Sequence, residues 1–365
     1  MRINKIRLSN FRNFKAQILE FSEKIIVIVG PNASGKTNII EAIFLLSTGK
    51  SFHARVEEEM VHYEEEIGRV KGSVVEADKE RVGTNLEVIL TRGEITVGVS
   101  PKKTERIARK KLVVNGVARR LVDFAGRFKV VLFGPWDMSI VTGPPTLRRN
   151  FLDTVLSQVD REYRRASLSY EKGLRQRNRL LFRIREEGLS RSQLLFWDQL
   201  LIKNGNYLTQ RREDFIGFAN KRPSLNNQVF NIEYDKSIIS QTRLEQYKDE
   251  EVAAATTLVG PHRDDFIFKI QNPNSKFQKE RELSRYGSRG EQRMGILWLK
   301  IAELSFIESE SEDKPTLLLD DIFSELDHEH RKIVLDVSKN QQTIITTADP
   351  HYIEEFEKIE IIKLK

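Results

Sequence analysis

Five β-branched residues, Ile25-Ile26-Val27-Ile28-Val29, run straight into Gly30-Pro31-Asn32-Ala33-Ser34-Gly35-Lys36-Thr37, and an apolar stretch from Ile39 to Leu46 follows before Gly49. A β-branched run without alternation reads as a strand buried on both faces. The string after it fits G-x-x-x-x-G-K-[ST], a loop that needs a strand before it and a helix behind it. This obliges the segment to form one βα unit of an α/β sheet. The chemistry it permits is equally narrow. Its glycines let successive N–H groups curl around an anion, and the helix aims its positive end at the same place. Gly30 through Asn38 are therefore the expected ATP contacts. Lys36 is expected to bridge β- and γ-phosphate oxygens, and the Thr37 hydroxyl to hold Mg²⁺.

The rest of the chain sets the frame for that unit. Its 365 residues suffice for one large or two moderate domains. No apolar run reaches the roughly 18 residues that span a bilayer, and the start, MRINKIRLSNFRNF, has no apolar signal-peptide core. Cysteine is absent, which excludes disulfides and thiol chemistry. A cytoplasmic location without a membrane partner is expected. The net charge of +7 is modest, but its distribution is uneven. Nine basic residues (Arg161, Arg164, Arg165, Lys172, Arg175, Arg177, Arg179, Arg183, Arg185) crowd one segment, and a second cluster holds Lys102, Lys103, Arg106, Arg109, Lys110 and Lys111. Such footprints suit a phosphate backbone, or form a solvated helix face.

Organisation follows texture. Residues 1–30 read as two strands, and residues 55–120 as antiparallel strands with an Asn115-Gly116 hairpin turn. After Gly143-Pro144-Pro145 the chain is nearly proline-free to Ala219, with the spacing of two or three long helices. Strand character returns at Phe266–Ile270, a helix is expected near 290–308, then a strand at Thr316–Asp320, a helix, and strands at Thr343–Thr346 and Glu360–Leu364. The expected fold is α/β: a P-loop lobe with an antiparallel β subdomain, discontinuous over 1–143 and 257–365, interrupted by a mainly helical lobe over 144–256.

Leu317-Leu318-Leu319-Asp320-Asp321 ends a buried strand in two carboxylates. Asp320 is placed to hold Mg²⁺, and Asp321 to orient and deprotonate the attacking water. Ser324-Glu325-Leu326-Asp327 follows at once, and Ser288-Arg289-Gly290-Glu291-Gln292 precedes them at the start of a helix. A serine there is either a helix N-cap or, with Gly290 and Gln292, a phosphate contact. The order P-loop, long insertion, S-x-G-x-Q, carboxylate-ended strand and S-x-L-D resembles that of ABC-type ATPases. In that class the signature serine meets the nucleotide of a second subunit.

The chain as a whole resembles the RecF family of bacterial recombination mediators. The resemblance rests on Leu8-Ser-Asn-Phe-Arg12-Asn-Phe, Gly30–Asn38, Gly143-Pro-Pro, Arg148-Arg149-Asn-Phe-Leu-Asp153, Tyr170 with Leu174–Leu181, Gly260-Pro-His-Arg263-Asp-Asp265, and the two C-terminal motifs. It implies an ABC-ATPase-like head fold akin to the structural-maintenance-of-chromosomes group, without a long coiled coil. It also implies an ATP-dependent homodimer on duplex, gapped or single-stranded DNA, slow DNA-dependent hydrolysis, and help in loading RecA with RecO and RecR. Lys36, Asp321 and Ser288 are then the catalytic residues, and Ser324 and Asp327 the loop after the carboxylate strand. Two departures stand out: Glu291 replaces a glutamine, and no histidine occurs in Ile344–Asp349, where either Thr346, Thr347 or Asp349 substitutes or hydrolysis is simply slow.

Other residues keep two readings. Arg12 is a phosphate contact or a strand-end surface residue. Arg148 and Arg149 meet DNA phosphate or cap a partner's carboxylate, and with Arg175, Arg177 and Arg179 they are the DNA-contact candidates. Asp137 is the candidate for the glutamine-loop position, and His262–Asp264 read as a polar network. Trp136, Trp197 and Trp298 are expected in the core. A transporter subunit fits poorly with the basic insertion, a coiled-coil head with the lack of sustained heptads, and a GTPase with the lack of N-K-x-D.

Overall fold

The computed structural model describes residues 1–23, 25–75, 83–98, 103–271, 280–349, 351 and 359–364; Lys102 of the second basic cluster lies outside them. The chain divides into two compact units, Met1–Asp137 with Glu303–Lys365, and Met138–Ala302.

The first unit opens with β1 (Arg2–Phe11), β2 (Phe14–Glu20), β3 (Ile25–Val29) and α1 (Lys36–Thr48). β4 (Ile67–Val75), β5 (Thr84–Thr91), β6 (Glu94–Val97), β7 (Lys103–Arg106), β8 (Lys110–Val114), β9 (Val117–Arg119), α2 (Leu121–Phe124) and β10 (Val130–Phe133) follow. An antiparallel sheet has the order β2-β1-β4-β5-β8-β9. The uneven spacing of Ile3, Ile6 and Leu8 has a cause: the β1–β4 register shifts between Ile3 and Lys5, and this irregularity still leaves all three side chains buried.

The second unit contains α3 (Met138–Thr142), α4 (Pro145–Val159), the 27-residue α5 (Arg161–Glu187), the 26-residue α6 (Leu195–Asn220) and β11 (Val229–Asp235). It continues with α7 (Gln241–Gln246), α8 (Lys248–Ala254), β12 (Asp265–Gln271), β13 (Arg281–Glu282), α9 (Leu283–Tyr286) and the start of α10 (Arg289–Ser311). The sequence-drawn boundary differs here, because residues 257–302 cluster with the helices. The reason is pairing: β12 lies antiparallel between β11 and β13, so Asp265–Gln271 is tied to the strand that follows α6. The alternation of Phe230, Ile232 and Tyr234 in β11 lies in a segment whose polar flanks disguise it.

The chain then returns to the first unit with β14 (Thr316–Asp320), α11 (His328–Ser338), β15 (Thr343–Thr347) and β16 (Ile359–Lys363). These form a parallel sheet, β10-β14-β15-β3-β16. α1 packs on β4 and β5 of one sheet and on β10, β14 and β15 of the other. That explains why Ile39, Ile40, Ile43, Leu45 and Leu46 are apolar around the whole helix, since each is 0% exposed. Gln342 ties the two sheets: its amide donates to the Ile3 and Ser22 carbonyls, both at 2.8 Å, and its Oε1 accepts from Ile3 N at 2.9 Å. Among the described residues no helix is long and apolar enough to cross a membrane.

Candidate functional site

The loop Gly30–Gly35 leaves β3 at its C-terminal end and enters α1. Gly35 has φ of 98°, the left-handed region that favours glycine, and a Cβ there would meet Phe14 Cζ at 2.6 Å. No side chain caps α1 and no acid occupies its first turn, so its leading N–H groups and dipole are left for an anion. Lys36 is buried and folds over the loop, donating to the Gly30 and Pro31 carbonyls at 2.7 and 2.9 Å. From outside, Asn13 Nδ2 donates to the Ser34 carbonyl at 3.3 Å and Asn38 Nδ2 to Asn13 Oδ1 at 2.8 Å. Arg12 grips the buried Glu41 of α1 through two bonds of 2.7 Å and donates to the Glu59 carbonyl at 2.8 Å. Its guanidinium braces the P-loop helix.

The carboxylates arrive through strand order. β15 lies between β14 and β3, and its register sets Thr346 beside Asp320 on one side and Ile28 on the other. The Thr346 hydroxyl donates to Asp320 Oδ1 at 2.5 Å and accepts from Asp321 N at 3.1 Å. Burial pushes the Asp320 carboxyl up, against hydrogen bonds from Thr346 and Thr37 that lower it, and the neighbouring Asp321 charge adds to the rise. Burial also raises Asp321, while the Lys36 charge lowers it. Lys36, Thr37, Asp320, Asp321 and Thr346 thus converge from three sequence-distant segments.

Thr37 and Asp320 offer hard oxygen donors to one place, the set Mg²⁺ accepts when nucleotide phosphates and water complete its shell. The rise of the Asp320 carboxyl on burial marks a position that favours a compensating cation. Asp321 is the N-cap of the next short turn at φ 49°, and Ser324 Oγ donates to its carbonyl at 2.8 Å, fixing that strained residue. Asp327 caps α11, accepting from His330 N at 3.0 Å and His330 Nδ1 at 2.6 Å. These bonds hold its carboxyl below the usual range. Thr347 is committed to Asp349, donating to its carbonyl at 3.1 Å and accepting from its N–H at 3.2 Å. Asp137 accepts from Gly134 N at 2.8 Å, and Trp136 beside it is not in the core: it is 38% exposed and stacks on Phe52 at 4.8 Å.

The second unit carries the other motif. Ser288 heads α10 in a reciprocal capping box: its Oγ accepts from Glu291 N at 3.2 Å, and Glu291 Oε2 accepts from Ser288 N at 2.8 Å. The departure at Glu291 therefore has a local role, which also includes an ion pair with Arg281. Gln292 Nε2 donates to the Leu283 and Gly287 carbonyls, both at 3.3 Å, pinning the preceding turn. Ser288, Arg289 and Gly290 are exposed.

Two of the DNA-contact expectations fail. Arg177 is 2% exposed, bonded to Asp198 and Glu251 at 2.7 Å each. Arg148 is buried against Asp265, with bonds of 2.6 and 3.0 Å. Arg149 is half-buried, donating to the Asp264 carbonyl at 2.7 Å. Helical phase carried the signal: Arg177 lies in register with buried Tyr170, Gly173, Leu181 and Ile184, and Arg148 with Phe151, Leu152 and Val155. Arg175 and Arg179 face outward.

Sequence reading also missed a buried hub at Arg212. Its guanidinium donates to Asp153 at 2.8 Å, Asp264 at 2.9 Å, the Pro261 carbonyl at 2.7 Å and Tyr163 at 3.1 Å. Tyr234 donates to Asp264 as well. Burial drives the Tyr163 hydroxyl well up and His262 down to about 4, so His262 is a neutral bridge between Tyr170 and the Thr257 carbonyl.

Comparison with known proteins agrees with this layout. The RecF/RecN/SMC N-terminal domain family matches residues 2–365. The DNA replication and repair protein RecF of Herpetosiphon aurantiacus is 33% identical, over 99% of this chain and 98% of its own length. That of Chloroflexus aggregans is 35% identical over 96% and 94%. Among solved structures, the recombination mediator RecF with ATP, of the RecFOR pathway, superimposes with a TM-score of 0.86 at 31% identity, covering 99% of this chain and 95% of that one. The Smc head domain of Pyrococcus furiosus, at TM-score 0.51 and 16% identity over 100% and 94%, shares the fold alone. The α/β architecture is thus that of an ABC-ATPase-like head, and the chain belongs to the RecF family of DNA replication and repair proteins.

Proposed function

We propose that this chain is a slow, DNA-dependent ATPase whose nucleotide joins two copies on DNA. In this reading the loop Gly30–Asn38 holds ATP, Lys36 the β- and γ-phosphates, and Thr37 with Asp320 the Mg²⁺, which when bound offsets phosphate charge. Asp321 positions and deprotonates the attacking water. Ser288, Gly290 and Gln292 of a second copy complete the site, and Ser324 and Asp327 shape the loop between copies. Thr346, in the strand where ABC-type ATPases carry a histidine, holds Asp320 and Asp321 in place. The cycle serves recombinational repair in the cytoplasm: closed dimers mark duplex, gapped or single-stranded DNA at gaps and stalled forks, and assist RecA loading with RecO and RecR.

One observation carries the two-copy reading. The Ser288 hydroxyl uses its lone pairs on Glu291 N within an exposed helix start, leaving its O–H to donate to an anion. Ser288→Arg should keep single-copy ATP binding and weaken ATP-dependent association by roughly 10–100-fold per half-site, the worth of a hydrogen bond to a charged group. Sedimentation with and without ATP reads both terms, and wild-type dimerisation by the variant would overturn the composite site.

Asp321 has the features of a base. Its carboxyl is raised by burial, which makes the carboxylate a better proton acceptor. Asp321→Asn should cut turnover on the order of 100-fold or more and prolong DNA-bound dimers. Unchanged turnover, followed by phosphate release, would remove Asp321 from that role.

A further inference from the structure

The fold sorts the basic segment of α5. Arg164 donates to the Ser157 carbonyl at 2.5 Å, Arg165 pairs with Glu162, Arg177 is buried between Asp198 and Glu251, Arg183 pairs with Glu187 and Arg185 with Glu186. Arg161 has a partner too. Lys172, Arg175 and Arg179 remain. All three are exposed, and among the described residues none makes a hydrogen bond or ion pair. Glu171, one turn before Arg175, forms no ion pair with it.

Spacings of three and four residues put these cations on one face of α5, in a track about 10 Å long at 1.5 Å per residue. Like charges four residues apart destabilise a helix slightly, so the arrangement gives the fold nothing. On the next turn of the same face stands Phe182, 49% exposed. Leu181, Ile184 and Leu194 share one buried cluster, which brings the end of α5 and the start of α6 together. The exposed Leu195 (56%) and Phe196 (64%) therefore lie at the same end of the hairpin as Phe182.

A line of unpaired cations leading to exposed aromatic rings matches a strand whose bases are free to stack; a duplex offers phosphates but hides its bases. We propose that this face of α5 binds single-stranded DNA, with Lys172, Arg175 and Arg179 along the phosphates and Phe182 against a base. The inference rests on the DNA-binding function proposed for the chain and narrows it to the unpaired strand.

Fluorescence anisotropy with ATP and Mg²⁺ tests it on three labelled probes: an oligothymidylate, an abasic strand of equal length, and a duplex. The triple variant Lys172→Gln, Arg175→Gln, Arg179→Gln should lower the slope of log affinity against log salt on oligothymidylate by about 2, near 0.7 for each phosphate that is no longer neutralised. Phe182→Ala should weaken oligothymidylate binding roughly fivefold or more while leaving the abasic strand unchanged. All four side chains are exposed, so the variants should keep the wild-type far-ultraviolet spectrum. Unchanged oligothymidylate affinity and slope would overturn the proposal and leave this face to an acidic protein surface. Loss confined to the duplex would overturn the single-strand assignment. If the wild-type protein binds none of the probes, the DNA-binding function itself fails, which is distinct from a wild type that binds while the variants match it.

Discussion

Lys36→Met should give a folded protein that ATP no longer assembles into dimers. The methionine stem fills the space of the lysine but removes the two donors that reach the Gly30 and Pro31 carbonyls. Each of those bonds is worth about 1 kcal/mol of stability, a deficit that a domain of this size tolerates. The nucleotide loses more. A charge-assisted bond to phosphate is worth roughly 1.5–3 kcal/mol, and without the Lys36 charge the Asp321 carboxyl rises further. Calorimetry should show nucleotide affinity down by roughly 10–100-fold, and sedimentation should show monomers at ATP concentrations that saturate wild type. A Lys36→Met protein that dimerises normally would separate the P-loop from assembly altogether.

The largest effect on stability should come from Arg212→Met. Burial alone would lower the guanidinium's proton affinity, but Asp153, Tyr163 and Asp264 outweigh it and hold the side chain charged. Removing it strands two carboxylates, a tyrosine and a carbonyl in a region where Arg212 is 3% exposed. Breaking a buried pair from one side costs about 3–5 kcal/mol, because the remaining charge has no water to replace its partner. Urea unfolding of the second unit, followed by Trp197 and Trp298 in a Trp136→Phe background, should show that loss as a lower midpoint. A shift below about 0.5 kcal/mol, the size of an ordinary surface change, would mean the network relaxes around the gap.

What could be read in the sequence, and what could not, divides along the range of the interactions. The P-loop is a local object: its strand, glycines, lysine and helix occupy consecutive positions, and each has its own physical signature. Asp320 was legible for the same reason, as the end of an apolar run. The Asn115-Gly116 hairpin and the long helices followed from turn chemistry and period. The Arg212 hub was not legible because Asp153, Tyr163, Arg212 and Asp264 come from four separate segments, and nothing local marks a charge as buried. The basic run was half legible. Its charge was plain, but separating Arg177 from Arg175 and Arg179 required reading it in phase with Tyr170, Leu181 and Ile184. Trp136 escaped because an aromatic ring beside a buried strand can stack outward on a loop residue such as Phe52.

The strand that carries the P-loop has a particular timing problem. β3 has β15 and β16 as its two neighbours in the parallel sheet, and its Val29 pairs with Thr347 on one side and Lys363 on the other. On a ribosome the loop emerges early, but its sheet cannot close until β15 and β16 have left the exit tunnel. The helices of the second unit, built from near-neighbour contacts, can form in the meantime. A chain halted before β15 would thus display the helices of its second unit while the strand that leads into the P-loop still lacks both of its neighbours.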